Sequence, residues 1–538
     1  MKTSTRRAFL AASLGLTQVA LLESFGLSLL GTRRAHAAPT GGPTRFLTIY
    51  VPGGWMPIYM WNPLAAADIG RLLPAARVAN NEDRVFYDAN EVVNLDGSGD
   101  QDAGAAIQRL RVPRTWNDAE LAKAAAGQPS NATAPKVSGG VPSMTNGYSW
   151  LAHKLHENVS VVHGVDQGTA AHDSGRISAM CGAAGSIYRA PGMQTLVANE
   201  LSLRFPDRPL PCVVVGDAPV PDSLTLPSVA APTVLAGLSG LDYTLSRNKD
   251  AAWNGLREVQ PTPQLDYRGA PLGVTVPTNP MDEYAMRTTR ALAGKSNAAT
   301  DAFLERLHDR TRNVSELLSR DVQSALMKTA GVEHGGNPYW TGNPAWSTFG
   351  ITGSGRHADG GGTWNDSFDL ALRLLKADVT SSVVLNCKGI GGAFLDTHAA
   401  EESQFDLTRG VMEVIGRLLG EMKLTPAPGG GGKSLLDDTL VVMVSEFART
   451  WPSSNSDHWP ITSVAFAGGG VAANRMVGNY LNDGSALGAP LKLISESGAD
   501  DVRPPRSGDV VHTAMKMMGV QQFAIPGGSG EIAGLRSV

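Results

Sequence analysis

A run of β-branched and apolar residues that ends in charged side chains most constrains the fold of this 538-residue chain. The run extends from Thr439 to Val444 and is followed by Glu446 and Arg449. A short, continuous apolar run between turn-prone flanks predicts a strand that is buried on both faces. Such strands are typical of parallel sheets, whose ligand crevice lies beyond the carboxyl ends of the strands. We therefore expect the functional chemistry to lie beside Glu446.

Strand-like and helix-like segments alternate along much of the chain. The predicted strands are 45–51, 159–162, 212–215, 382–386, 439–444 and 463–468. The predicted helices between them are 148–157, 172–180, 191–203, 366–377, 405–422 and 508–519. This alternation predicts an α/β fold, with a mostly parallel sheet that carries helices on both faces.

Two long segments interrupt this alternation. Residues 65–146 have no clear hydrophobic period and are rich in Asp, Asn, Ala and Gly, and residues 250–362 combine Pro-rich stretches with two helical patterns at 281–292 and 298–329. The 61 glycines and 33 prolines favour a loop-rich protein. We interpret 65–146 and 250–362 as insertions in one domain that covers 38–538.

The first 37 residues have the three regions of a twin-arginine signal peptide. Arg6 and Arg7 precede a weakly apolar segment from Ala11 to Leu30, and small residues around Ala37 provide a cleavage site. The interpretation predicts passage through the twin-arginine export machinery and a periplasmic or secreted location.

The net charge of the chain argues against some classes of binding partner. Removal of the signal would take away five basic residues and one acidic residue, which moves the formal charge from −4 to −8. An acidic chain is a poor match for nucleic acid, and we expect neither that partner nor a transmembrane anchor. The three cysteines are widely spaced, so burial as free thiols is favoured, although one pair could form a disulfide in an oxidising compartment.

Acidic residues and histidines follow the ends of several predicted strands. These candidate metal ligands are Asp396, His398, Glu446, Asp457 and His458. Carboxylate oxygens and imidazole nitrogens bind divalent ions such as zinc, manganese or calcium. Asp457 and His458 are neighbours in an extended segment, so at most one of them should face such an ion directly.

The order of these pieces resembles a known group of proteins. The run Ser-Glu-Phe-Ala-Arg-Thr at 445–450, with Asp-Thr-His before it and Asp-His-Trp-Pro after it, is similar to uncharacterised twin-arginine-exported families with an alkaline phosphatase or sulfatase-like core. Those families have Gly where this chain has Ala448. The resemblance implies an alkaline phosphatase-like fold, with Asp396, His398, Glu446 and His458 holding an ion. Because strand 45–51 ends without a carboxylate, one ion is expected rather than two.

The segment that begins at His172 supplies the candidate catalytic residues. By resemblance to sulfatases, His172 occupies the position of the nucleophile, and Ser174 is the nearer chemical candidate for that role. His172 and Asp173 could instead be extra ligands or an acid and base pair. Arg176 or Arg449 could hold an anionic oxygen of the substrate.

Two functions follow from these residues. The first is an exported metal-dependent hydrolase that acts on a small anionic ester, either a phosphate or a sulfate. The second is a non-catalytic secreted protein that keeps the fold and serves in binding or surface assembly.

Overall fold

The computed structural model describes about two fifths of the chain. The described residues are 42–57, 60–61, 92–94, 107–108, 110–113, 150, 153–182, 191–205, 208, 210–215, 233–235, 261–265, 271–277, 363–387, 395–396, 411–412, 415–416, 418–449, 457–478, 491–494, 500–520, 528 and 530–537. The predicted signal peptide, the helical patterns at 281–292 and 298–329, and most of both predicted insertions lie outside these residues.

A nine-stranded mixed sheet forms the centre of the described structure. In spatial order its strands are β3 (Ile107–Gln108), β15 (Arg475–Val477), β5 (Val159–Asp166), β14 (Ile461–Gly468), β11 (Thr439–Val444), β1 (Arg45–Tyr50), β10 (Thr380–Asn386), β6 (Leu210–Val215) and β7 (Thr233–Leu235). All residues of β1, β6, β10 and β11 are buried, as predicted for central strands covered on both faces.

Most neighbours in this sheet are parallel, which confirms the predicted class. Strand β1 pairs in parallel with β10 on one side and with β11 on the other, and β10 pairs in parallel with β6. The exception near the centre is β14, which is antiparallel to both β11 and β5. Strand β5 therefore runs in the same direction as β11, and the carboxyl ends of β1, β5, β10 and β11 share one edge, named here the carboxyl edge.

Helices cover both faces of the sheet. Helix α3 (Thr363–Lys376) and a helical segment described within 411–424 contribute to one hydrophobic cluster, which also contains Leu47 and Ile49 of β1. Helices α1 (His172–Cys181), α2 (Met193–Arg204) and α4 (Ser507–Met517) contribute to the other, which contains Phe46 and Tyr50. Alternate residues of β1 thus point to opposite cores.

Smaller strands lie outside the central sheet. They are β2 (Val92–Asn94) with β4 (Arg111–Pro113), the hairpin β8 (Pro261–Leu265) with β9 (Pro271–Pro277), β12 (Ala448–Arg449) with β13 (His458–Trp459), and β16 (Leu491–Ile494) between β17 (Asp500–Arg503) and β18 (Glu531–Ile532). Strands β2, β3, β4, β8 and β9 fall within the predicted insertions, and β3 extends the central sheet by pairing with β15.

Buried charges tie the strands together at the edge opposite the carboxyl edge. Arg45 is only 1% exposed and forms ion pairs with Asp378 and Asp438, and Arg208 also bonds to Asp378. These pairs connect the beginnings of β1, β10 and β11. None of the helices described here is long and apolar enough to cross a membrane.

Candidate metal centre

Three segments that follow different strands meet at the carboxyl edge. Strand β5 leads to His172 at the start of α1, β10 is followed ten residues later by Asp396, and β11 by Glu446. The chain then turns back, because β12 and β13 form a ladder in which Arg449 lies opposite His458. The sheet topology thereby brings together side chains that are far apart in the sequence.

His172, Asp396 and His458 form a cluster with the geometry of a metal site. One ligand atom from each residue lies within 4.8 Å of the other two. His172 Nε2 is 3.4 Å from Asp396 Oδ2, and His458 Nε2 is 3.9 Å from Asp396 Oδ1. All three side chains are partly exposed, so the cluster can be reached from solvent.

The second nitrogen of each imidazole is held by another group. His172 Nδ1 lies 2.9 Å from Glu446 Oε1, and His458 Nδ1 lies 2.6 Å from the Ala170 carbonyl oxygen. A carboxylate and a carbonyl only accept hydrogen bonds, so both Nδ1 atoms carry hydrogen. In the neutral tautomer the lone pair is then on Nε2, the atom that faces Asp396. Metal-binding histidines are oriented in this way by outer carboxylates and carbonyls.

Glu446 lies behind His172 rather than in the cluster. Its carboxylate is buried and accepts from the Gly53 amide at 2.6 Å, the Tyr50 hydroxyl at 2.9 Å and the Ser445 hydroxyl at 3.3 Å, in addition to His172. Burial, followed by the charge and the hydrogen bond of Glu446, raises the pKa of Tyr50 well above its ordinary value. Glu446 therefore acts in the structure as the carboxylate that orients His172.

Arg449 holds the carboxylate of the cluster. Its side chain is fully buried, with Nη2 2.5 Å from Asp396 Oδ1 and Nε 2.9 Å from the Gly53 carbonyl oxygen. Burial lowers the pKa of Arg449, and the bond to Asp396 opposes that shift. With its guanidinium used in these contacts, Arg449 is poorly placed to bind a substrate oxygen as well.

An aromatic ring supports the two histidines. Phe447 stacks on His458, with ring centroids 4.2 Å apart, and meets His172 edge to face at 4.8 Å. The turn after β1 approaches this ring closely, since a Cβ at Gly54 would overlap Phe447 and one at Gly53 would overlap the backbone of Leu395 and Asp396. Both glycines also have positive φ. A larger residue at either position would therefore be disfavoured by the close contact and by the backbone conformation.

The electrostatic environment favours a proton on His172 when no ion is present. The hydrogen bond to Glu446 raises the pKa of His172 from its ordinary value, and partial burial opposes it. The charges of Glu446 and Asp396 also raise this pKa, whereas Arg449 lowers it. A cation at Nε2 would replace that proton.

Asp457, Ser174 and Arg176 are described by the structure and are not members of the cluster. Asp457 is exposed and its Oδ1 accepts from the backbone amide of His458, as expected for neighbours that diverge in an extended strand. Ser174 is partly buried in the first turn of α1, and Arg176 pairs with the exposed Asp173 at 3.0 Å. His398 falls outside the described residues.

Several contributors were not identified from the sequence. Tyr50 and Gly53 donate to Glu446, Ala170 accepts from His458, and Phe447 supports both imidazoles. Any residue type can supply a backbone amide or carbonyl, so the sequence does not mark Gly53 or Ala170. Only position in the chain could have identified the others, because Tyr50 lies at the end of the first core strand and Phe447 follows Glu446 directly.

Comparisons with known proteins give one match, to a family model that covers part of the chain. A search of curated proteins found no match, and a search of solved structures found none either. A family model matches a segment that contains Asp396, Glu446, Arg449 and His458 but not His172. Residues 355–489 match the family described as "Protein of unknown function (DUF1501)".

Proposed function

We propose that the protein is an exported, metal-dependent hydrolase of phosphate or sulfate esters, with an alkaline phosphatase-like core and one divalent ion. The observation that carries the proposal is that one ligand atom each of His172, Asp396 and His458 lies within 4.8 Å of the other two, with Nε2 of both histidines near the Asp396 carboxylate. The resemblance of residues 380–520 to exported alkaline phosphatase-like or sulfatase-like families supports the reaction class. The twin-arginine pattern supports a periplasmic or secreted location.

The donor set favours a transition metal ion. Two imidazole nitrogens and one carboxylate form the three-ligand set of many catalytic zinc sites, which leave a coordination position open. Manganese and iron also accept such sets, whereas calcium requires six to eight oxygen ligands. Of the ions considered from the sequence, zinc and manganese therefore fit His172, His458 and Asp396 better than calcium.

Each surrounding residue has a definable part in this proposal. Glu446 orients His172 and keeps hydrogen on Nδ1, Ala170 does the same for His458, and Arg449 limits the rotation of Asp396. A bound ion would act as a Lewis acid that polarises the ester and makes water a better nucleophile.

Arg176 is the candidate contact for the anionic group of the substrate. It lies one turn after His172 on α1, on the same side of that helix. Its described ion pair with Asp173 joins it to a side chain that is 85% exposed, and pairs of this kind are weak. A substrate anion could therefore compete for the guanidinium, in contrast to the buried Arg449.

One observation favours the second function, a non-catalytic binding protein. The charges of the cluster can balance without an ion, because Arg449 pairs with Asp396 and a protonated His172 would lie between Asp396 and Glu446. In that case the same residues would form a stable ionic network within a protein that binds a partner.

A hydrolysis assay separates the two functions. Purified protein without the signal is incubated with p-nitrophenyl phosphate and p-nitrophenyl sulfate after equilibration with zinc or manganese. The proposal predicts turnover that falls at least about 100-fold in His172→Gln and His458→Gln. His156→Gln is the matched control, because His156 precedes β5 at the opposite edge of the sheet. Equal turnover in all three variants, or none in the metal-loaded wild type, would refute it.

A further inference from the structure

The interface between α2 and the sheet contains buried polar atoms that lack a hydrogen-bond partner among the described residues. They include Gln194 Nε2 and Oε1, Thr195 Oγ1, Thr48 Oγ1 and Asn386 Oδ1. The first three residues are fully buried and Asn386 is 8% exposed. A buried polar atom without a partner is strongly disfavoured, so such groups call for an explanation.

The direction of α2 places Gln194 at about the same level along the strands as Thr48. Helix α2 leads through Arg208 into the beginning of β6, so it runs antiparallel to the strands and its first turn lies towards the carboxyl edge. Ala198 packs on Cys212 of β6. Gln194 precedes Ala198 by four residues on the same helix face and lies about 6 Å nearer the carboxyl edge.

The strand register shows which sheet residues lie at the same distance from the carboxyl edge as Gln194. Two residues beyond Cys212, Val214 of β6 pairs with Val384 of β10, and Val384 pairs with Thr48 of β1. Thr48 lies on the same face as Phe46 and Tyr50, because Leu47 and Ile49 belong to the opposite core. Its hydroxyl therefore faces the side covered by α2.

Asn386 lies one level closer to the carboxyl edge on the same face. It pairs with Tyr50, whose hydroxyl donates to Glu446. Thr48, Gln194, Thr195 and Asn386 are buried residues of the α2–sheet interface with unpartnered polar atoms, and together they are named here the α2 seam. The seam extends from the middle of the sheet to the residues that support the candidate metal centre.

We infer that the α2 seam binds a small neutral molecule that both donates and accepts hydrogen bonds, either ordered water or a hydroxylic compound. The lining offers both kinds of group, since the Gln194 amide donates and accepts, the threonine hydroxyls do either, and Asn386 Oδ1 accepts. All four side chains are uncharged. Buried water typically makes two to four bonds to groups of this kind.

Substitutions that remove a polar atom without changing shape test the inference. Thr48→Val and Gln194→Met keep the side-chain volume. Thr439→Val is the reference variant, because it measures how much stability is lost when a buried hydroxyl with a known partner is removed. Thr439 is equally buried, and its Oγ1 donates to the Leu435 carbonyl oxygen at 2.7 Å. If the seam is occupied, Thr48→Val and Gln194→Met lower the midpoint of thermal unfolding of the metal-free protein as Thr439→Val does, by about 1–3 °C.

An unchanged or higher midpoint of thermal unfolding in Thr48→Val and Gln194→Met would overturn the inference. In a dry seam, replacing an unpartnered polar atom by an apolar one removes a penalty, so both variants would be as stable as the wild type or more stable. Because metal-free protein is used, this result is independent of the candidate metal centre.

Two further measurements identify the occupant. Native mass spectrometry of gently purified protein would show a discrete added mass for a retained hydroxylic compound and none for water. A crystal structure would then show density bonded to Thr48 and Gln194 in either case, whereas an empty seam would contradict the inference.

Discussion

Replacement of Glu446 by alanine should destabilise the protein strongly, and replacement by glutamine should not. Glu446 accepts from four donors while 1% exposed, and three of these, the Gly53 amide and the Tyr50 and Ser445 hydroxyls, are buried. Each buried donor that loses its acceptor costs about 1–3 kcal/mol, and breaking a buried charged network costs about 3–5 kcal/mol. We expect Glu446→Ala to lose about 3–5 kcal/mol of unfolding free energy.

Glutamine can keep most of these bonds. Its carbonyl oxygen can accept from Gly53 and His172, and its amide can donate to the hydroxyl oxygens of Tyr50 and Ser445. Glu446→Gln should lose only about 1 kcal/mol of unfolding free energy and weaken the binding of the ion by about 10–100-fold. Denaturant unfolding monitored by tryptophan fluorescence measures the first quantity, and calorimetric titration with zinc measures the second. An alanine variant within about 1 kcal/mol of the wild type would refute the reasoning.

Three further predictions follow from the described contacts. The pKa of His172 is raised above 6.5 in the folded state, so its stabilising contribution is present below that value and lost as the pH rises through the raised pKa. Without metal, His172→Gln should therefore reduce stability more at pH 5 than at pH 8, and an equal loss at both would contradict the assignment. Burial raises the pKa of Cys181 and Cys212 to about 12, so mass spectrometry should find no alkylation of either thiol by iodoacetamide at pH 8 until the protein unfolds. Gly53→Ala should lower both stability and zinc affinity in the same assays, because a Cβ there overlaps the facing backbone and φ is positive; unchanged affinity would exclude the close approach.

The sheet was largely predictable because its central strands are continuous apolar runs. Thr439–Val444 is a strand with the predicted bounds, and the free, buried state of all three cysteines also agrees with the prediction. The direction of β14 was not foreseen. Its described connection to β11 contains the short strands β12 and β13 and no helix, whereas a parallel pairing is usually made through a helical crossover.

The candidate site was predictable in its location but only partly in its roles. Residues that follow parallel strands share an edge, so the sequence pointed to the region of Asp396, Glu446 and His458. Whether a carboxylate faces an ion or a histidine depends on side-chain direction and on backbone donors such as Gly53, which leave no periodic signal. The entry of His172 into the ligand cluster depends on the path from β5 into α1, and sequence spacing alone does not define that path.

Metal stoichiometry shows whether His172, Asp396 and His458 bind an ion. Protein without the signal, purified without chelator, is equilibrated with zinc or manganese, dialysed and measured by inductively coupled plasma mass spectrometry. His172→Gln, Asp396→Asn and His458→Gln are measured beside it, with His156→Gln as the control and circular dichroism as the check of folding. The account predicts one tightly held ion per chain in the wild type and the control, and none in the three folded variants. A wild type that retains no ion, or cluster variants that retain as much as the control, would contradict it.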